Sequence, residues 1–158
     1  MKKANIGINE ESKQAVSDQL SKILADEFII YSKLLNAHWN VEGPDFHSVH
    51  IFLETLYNQQ KANIDDTAEK IRSLGHYVSG QLNKYLELTN LLDAAPAKND
   101  SKTIYADLLE DYESIIIFLR ENIKLFEEEF KVAGITDFTT SLMEQHMKTA
   151  WMIRAHLA

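Results

Sequence analysis

Two pairs of side chains in this 158-residue sequence have the types and the spacing to hold a metal ion: His50 with Glu54, and Asp65 with Glu69. The members of each pair are four residues apart, so on a helix they stack on neighbouring turns of one face. Imidazole and carboxylate are donors suited to iron, manganese or zinc. The absence of cysteine removes thiolate sites, iron–sulfur clusters, disulfides and a thiol nucleophile, which leaves His, Asp and Glu for any metal chemistry. Taken alone, either pair more commonly describes exposed charge on a solvated helix. Taken together they are constrained by geometry. The step from Glu54 to Asp65 is about three turns, so all four side chains fall within a stripe of about 100 degrees. The same step separates the pairs by roughly 16 Å along the axis, far too much for one ion held at about 2 Å by its ligands. One chain cannot close such a site. An antiparallel copy of the helix, related by a two-fold axis near Gln59 and Gln60, would set His50 and Glu54 against the copy's Asp65 and Glu69 and give two equivalent sites. His38, just ahead of Gly43-Pro44, is free to cap them. His47 shares the stripe but reads as a hydrogen-bonding neighbour. His76 and His156 read as surface residues and His146 as packed or hydrogen-bonded.

These side chains need long helices to position them. The sequence holds only five glycines and two prolines, and the breaks fall at Gly43-Pro44, Gly75, Gly80, Pro96 and Gly134. Val16, Leu20, Ile23, Leu24, Tyr31, Leu34, Leu35 and His38 recur at three- and four-residue steps, which predicts a helix from Glu10 to Asn40. Phe46, Val49, Leu53, Leu56, Ile64, Ala68 and Ile71 trace a second, with Pro44 placed for its first turn and Gly75 at its end. From Val78 to Lys98 the pattern is mixed. The apolar cluster Tyr85, Leu86, Leu88, Leu91 and Leu92 marks a small helix in a long crossover. Ile104, Leu108, Tyr112, Ile115, Leu119, Ile123, Phe126 and Phe130 trace a third long helix up to Gly134. A fourth starts at Asp137 and carries Leu142, His146, Thr149, Ile153 and Leu157. Tyr31, Trp39, Phe126 and Trp151 read as core packing, with Trp39 a candidate redox residue through its place beside His38. A short first turn, a long crossover and a short last turn describe an all-α, ferritin-like four-helix bundle with a short extra helix in the crossover.

Composition agrees with a packed globular fold: 45% apolar and 25% charged residues. Residues 1–158 read as a single domain, with 1–9 a flexible N-terminal tail. No signal-peptide core and no stretch near the roughly 20 apolar residues of a membrane helix is present, so the expectation is a cytoplasmic protein. The net charge of −8 opposes a surface that grips nucleic-acid phosphate as a whole.

The run His38-Trp39-Asn40-Val41-Glu42-Gly43-Pro44-Asp45-Phe46, followed by His50, Glu54 and Asp65-Asp66-Thr67-Ala68-Glu69-Lys70-Ile71, resembles the Dps family, the ferritin-like DNA-binding proteins from starved cells. The likeness extends to Trp151-Met152-Ile153-Arg154-Ala155 and to the long crossover. It implies a dodecameric shell, with a di-iron ferroxidase site at each two-fold interface. By motif position, His38, His50 and Glu54 would come from one subunit and Asp65 and Glu69 from its partner. Glu54 stands where the family usually has aspartate, which moves a carboxylate by one methylene. The resemblance further implies oxidation of Fe(II) to Fe(III) with hydrogen peroxide in preference to oxygen, storage of the ferric mineral, and suppression of Fenton chemistry. Trp39 would donate an electron or intercept a radical. Carboxylates favour the ferric product and neutral imidazoles the ferrous substrate, so metal loading should weaken as the imidazoles protonate.

The other reading, a nucleoid-compacting particle with an incidental metal site, needs a basic tail. The first fifteen residues hold Lys2, Lys3 and Lys13 against Glu10 and Glu11, and Trp151-Ala155 is followed by no basic run. An ordinary ferritin is disfavoured, because its metal ligands lie inside one bundle as Glu and Glu-x-x-His sets, and the candidate Glu113 to Ile116 fails at its last position. Between Ser101 and Phe130 eight acids face three bases, including Glu127, Glu128 and Glu129, and Asp137 follows the last turn. These are candidates for an inner wall or pore. A gel shift with duplex DNA in magnesium-free buffer at physiological salt should show no stable complex.

Overall fold

The computed structural model describes residues 4–158. Lys2, Lys3 and the start of the tail expected over 1–9 lie outside the described residues. The elements are α1 (Glu10–Asn40), α2 (Phe46–Ser73), α3 (Leu82–Leu88), α4 (Ser101–Glu128) and α5 (Ala133–His156). Helix α1 packs along α2 and α4 along α5, contacts of α1 with α4 and of α2 with α5 close the bundle, and α3 lies on α1. This is the expected all-α bundle with a short helix in its crossover.

Each boundary has a local cause. Asn9 caps α1 by accepting the Ser12 N–H at 2.8 Å, and Glu10 and Glu11 sit at the positive end of the helix dipole. Along α1, Val16, Leu20, Ile23, Ile30 and Leu34 are fully buried, and each side chain of this kind contributes about 1.5–3 kcal/mol by leaving water. Gly43 holds φ at 133°, and a Cβ there would meet Asp45 Oδ1 at 3.2 Å, so the α1–α2 turn requires glycine. Pro44 lies ahead of the Asp45 cap rather than in the first turn of α2, a correction to the sequence reading: the turn closes on Gly43 before the helix begins. That turn is tied to the far half of the bundle. The Glu42 N–H donates to the Asn99 carbonyl at 3.0 Å, and the Ser101 hydroxyl donates to Asp45 Oδ2 at 2.6 Å.

The crossover is fastened by one carboxylate. Asp26, fully buried on α1, accepts hydrogen bonds from the Thr89 hydroxyl at 2.7 Å, the Asn90 N–H at 2.7 Å and the Asn90 amide at 2.9 Å. Burial nevertheless raises its pKa above the ordinary aspartate value. Of the apolar cluster expected here, Tyr85 and Leu91 are buried while Leu86 and Leu92 are exposed. The last turn also differs from expectation. Helix α4 stops at Glu128, Lys131 takes a positive φ of 55°, and α5 starts at Ala133 with Gly134 inside its first turn. The left-handed residue lets the Val132 N–H reach back to the Phe126 carbonyl at 3.1 Å and buries Val132, so the break falls three residues before the glycine.

At the centre, polar side chains are buried against one another. Glu27 on α1 is fully buried, with Oε1 2.7 Å from His146 Nε2 on α5. The Gln60 amide on α2 donates to the other carboxylate oxygen and also, at 3.1 Å, to the Glu27 carbonyl. The Tyr112 ring on α4 lies 5.4 Å from the His146 ring, and its phenol is pushed far above the ordinary range, by burial first and the Glu27 charge second. One residue from each long helix thus meets at this point. Lys33 and Asp111 form an interhelical ion pair between α1 and α4, both largely buried.

Removing one member of a buried pair leaves an uncompensated group, which costs about 3–5 kcal/mol, whereas replacing both with apolar residues is often close to neutral. Glu27→Ala and His146→Ala should each lower the thermal midpoint sharply at fixed protein concentration, and Glu27→Leu/His146→Leu should recover most of that loss. The Asp100 cap of α4 gives a pH test. Its carboxylate accepts the Thr103 N–H at 3.0 Å and the Thr103 hydroxyl at 2.9 Å, which lowers its pKa. A lowered folded-state pKa contributes stability above the unfolded value, lost as pH falls through the folded one. The stability gap between the protein and Asp100→Ala, followed by thermal unfolding, should therefore be full at neutral pH and shrink below about pH 4.

Candidate metal centre

The corner between α1 and α2 brings two imidazoles face to face. His38 is buried near the end of α1 and His50 is half-buried in the second turn of α2. Their rings stack at 3.7 Å with 20° between planes. His38 Nδ1 lies 3.0 Å from the His50 carbonyl, and His50 Nδ1 lies 2.9 Å from the His38 carbonyl. A carbonyl only accepts, so each Nδ1 carries the hydrogen, and in the neutral ring each Nε2 keeps a free lone pair. Backbone partners of this kind orient metal-binding histidines and fix their tautomer. Phe46 leans on the His50 ring at 5.1 Å and Tyr57 stands edge-on to His38 at 5.1 Å, so the two rings are walled in.

Glu54 follows one turn below His50 on the same face of α2 and is half-buried. Its Oε1 accepts the Tyr57 hydroxyl at 3.4 Å. The Tyr57 phenol is raised above its ordinary pKa by desolvation first and the Glu54 charge second, so it stays protonated at neutral pH. Asp65 and Glu69 are exposed further along α2, and among the described residues neither carboxylate has a hydrogen bond or an ion pair. Asp65 lines a shallow groove with Asn58, Lys61, Ala62, Ile64 and Ala68. The structure thus joins His38 to His50 with Glu54 a turn away, and leaves Asp65 and Glu69 about 16 Å along the helix. Among the described residues no three His, Asp or Glu side chains converge on one point.

Trp39 and Trp151 are 69% and 61% exposed, which corrects the expectation that they pack in the core. The reason for Trp39 is angular: it is one residue, about 100 degrees, beyond His38, so turning His38 toward α2 turns Trp39 outward. Phe126 is buried as expected and Tyr31 is half-buried. Asp137 is exposed in the second turn of α5, beside Glu127, Lys131 and Thr136. Sequence reasoning missed two features. Glu27 sits on the α1 stripe between Ile23 and Ile30, where its spacing marked it as inward-facing. Tyr57, three residues after Glu54, shares the face of the metal-site candidates.

Comparison with known proteins adds the lineage. Residues 17–158 match the ferritin-like domain family. The chain is 36% identical to an uncharacterized low temperature-induced protein of Nostoc sp. over 99% of its own length and 88% of the relative's. It is 32% identical to the DNA protection during starvation protein of Helicobacter pylori over 88% and 96%. The DPS protein of Vibrio cholerae O1 superposes with a TM-score of 0.93 at 22% identity, covering 100% of this chain and 98% of the other, which is a likeness of fold. Antigen TpF1 of Treponema pallidum gives 0.87 at 26% identity, covering 94% and 95%. With its bundle, its crossover helix and these relatives, the chain belongs to the Dps family of ferritin-like proteins.

Proposed function

We propose that this protein is a ferroxidase and iron store that protects against Fenton damage, using hydrogen peroxide in preference to oxygen. Its iron site is completed between two-fold related copies within a dodecameric shell. His38, His50 and Glu54 of one copy and Asp65 and Glu69 of the other hold the ferrous substrate. In each turnover two ferrous ions lose one electron each, the peroxide O–O bond breaks, and two protons complete two waters.

The observation that carries this reading is the pair of stacked imidazoles. Both are tied at Nδ1 to backbone and left with a free Nε2, beside Glu54, while two unpartnered carboxylates wait on the same helix beyond the reach of the same ion. Imidazoles suit the ferrous state and carboxylates the ferric one, so a mixed set accommodates both ends of the oxidation. The description of the Vibrio cholerae protein as a member of the ferritin-like diiron-carboxylate superfamily is consistent with that chemistry.

Ferrous iron added anaerobically to the metal-free protein, then peroxide, should give fast ferric absorbance that is lost in both His50→Ala and Asp65→Ala. Co-assembling the two variants in equal amounts should restore roughly one quarter of the native sites, since half of random two-fold pairs are mixed and each holds one intact site. Mixtures no more active than the separate variants would show that the site is not shared. No oxidation above the buffer control by the unaltered protein would refute the ferroxidase reading itself.

A further inference from the structure

A stripe of exposed side chains runs along the seam between α4 and α5. On α4 it holds Glu113, Ile117, Arg120 and Lys124, which step by three or four residues and so keep to one face of the helix. On α5 it holds Glu144, Met147, Trp151 and Arg154 at the same steps. Two cross-links show that the faces lie side by side: Arg154 donates to Glu113 Oε1 at 3.0 Å, and the Arg120 guanidinium donates to Met147 Sδ at 3.8 Å. Between these links sit Ile117 and Trp151, 60% and 61% exposed. The opposite faces of the same helices, at Ile115, Leu119, His146 and Ile153, are buried, so the stripe points away from the bundle interior.

We propose that this seam is a second contact between copies of the chain, the one that joins two-fold pairs into a closed shell. The proposal rests on the shared-site reading above. A two-fold contact is satisfied once two copies have met, so α2 against α2 ends at a pair. A closed assembly of more copies needs a further patch on each, used head to tail so that the rotation closes a ring. The seam lies on α4 and α5 and shares no residue with the α1–α2 corner or with Asp65 and Glu69.

Its chemistry suits a second copy. Three cations against two carboxylates leave the stripe with one net positive charge, on a chain whose net charge is −8. Copies of an acidic chain repel one another over most of their surface, and along this stripe they approach without that repulsion. Arg120, Lys124 and Glu144 have no ion pair among the described residues, so charges of both signs remain available to a neighbouring copy. Trp, Met and Arg are enriched at contacts between proteins, and Trp and Arg carry much of the binding energy there. A division of labour follows. A pair already holds complete iron sites, whereas enclosing the ferric product requires the seam.

Ile117→Glu and Trp151→Glu, made singly and together, put carboxylates into the apolar middle of the stripe at positions exposed in the folded chain. Analytical ultracentrifugation of the full-length protein at physiological salt should find the unaltered protein as a closed shell and the double variant as pairs, about a sixfold loss of mass, with circular dichroism unchanged. Given ferrous iron anaerobically and then peroxide, the pairs should oxidise iron without loss of rate per chain. Their ferric product should sediment as free precipitate, while that of the shell stays soluble with the protein. If the double variant unfolds, Trp151→Ala, which adds no charge, gives the same reading of mass. The proposal is overturned if the variants keep the size of the unaltered protein, which would leave the seam free on the outside. It is equally overturned if they fall to single chains, which would make the seam part of the two-fold contact, or if the unaltered protein itself stops at pairs. These outcomes are read from mass and leave ferroxidase activity standing. An unaltered shell that oxidises no iron defeats the ferroxidase reading and leaves the seam in place.

Discussion

A fully buried carboxylate must be matched, and Glu27 is matched from two neighbouring helices: His146 of α5 on one oxygen and the Gln60 amide of α2 on the other. The match fixes how α1, α2 and α5 register, because sliding any of them by a turn would leave a charge without its partner in a medium where that is costly. It also occupies the middle of the bundle, where ferritin-like proteins with internal metal centres direct inward Glu and Glu-x-x-His sets. Here Glu27, Gln60 and His146 already satisfy one another. The candidate metal donors lie elsewhere, at the end of α1 and along α2.

The α1–α2 corner holds the stacked imidazoles. Its two histidines each donate to the other's backbone carbonyl, so the geometry of one ring depends on the placement of the other residue's main chain. Gly43 makes the tight turn between them possible, and the tie from Glu42 to Asn99 holds that turn against the start of α4. Local turn, tertiary tether and imidazole orientation are thus one unit. The aromatic rings of Phe46 and Tyr57 restrict the histidine rings from either side and limit the entropy to be lost when an ion binds.

Helix α2 acts as a ruler. A straight helix cannot fold back, so residues eleven apart keep their spacing whatever surrounds them. Exposed Asp65 lines a shallow groove with Ile64 and Ala68, and exposed Glu69 follows one turn further along α2. The proposed two-fold partner would cover that groove and at the same stroke deliver its own carboxylates, which makes assembly and chemistry a single event.

Long amphipathic segments were legible from sequence because packing and period agree: the apolar stripe from Val16 to His38 lies within α1, and the short α3 falls in the crossover where the apolar cluster marked it. The metal-site candidates were legible because four-residue spacing on a helix is a purely local property. The α4–α5 turn was not, since a lysine took the left-handed conformation that a glycine three residues later was expected to supply, drawn there by the burial of Val132. Nor were the partners of Glu27, Asp26 and Asp111, which come from residues 119 and 33, 63 and 64, and 78 positions away in the chain. The sequence by itself determined the helices, their faces and the type and spacing of the donor side chains. Only the tertiary structure decided which side of His38 faces the site, so that Tyr57 rather than Trp39 lines it. Ring contacts between helices depend on how the helices pack, and period along one helix does not specify that.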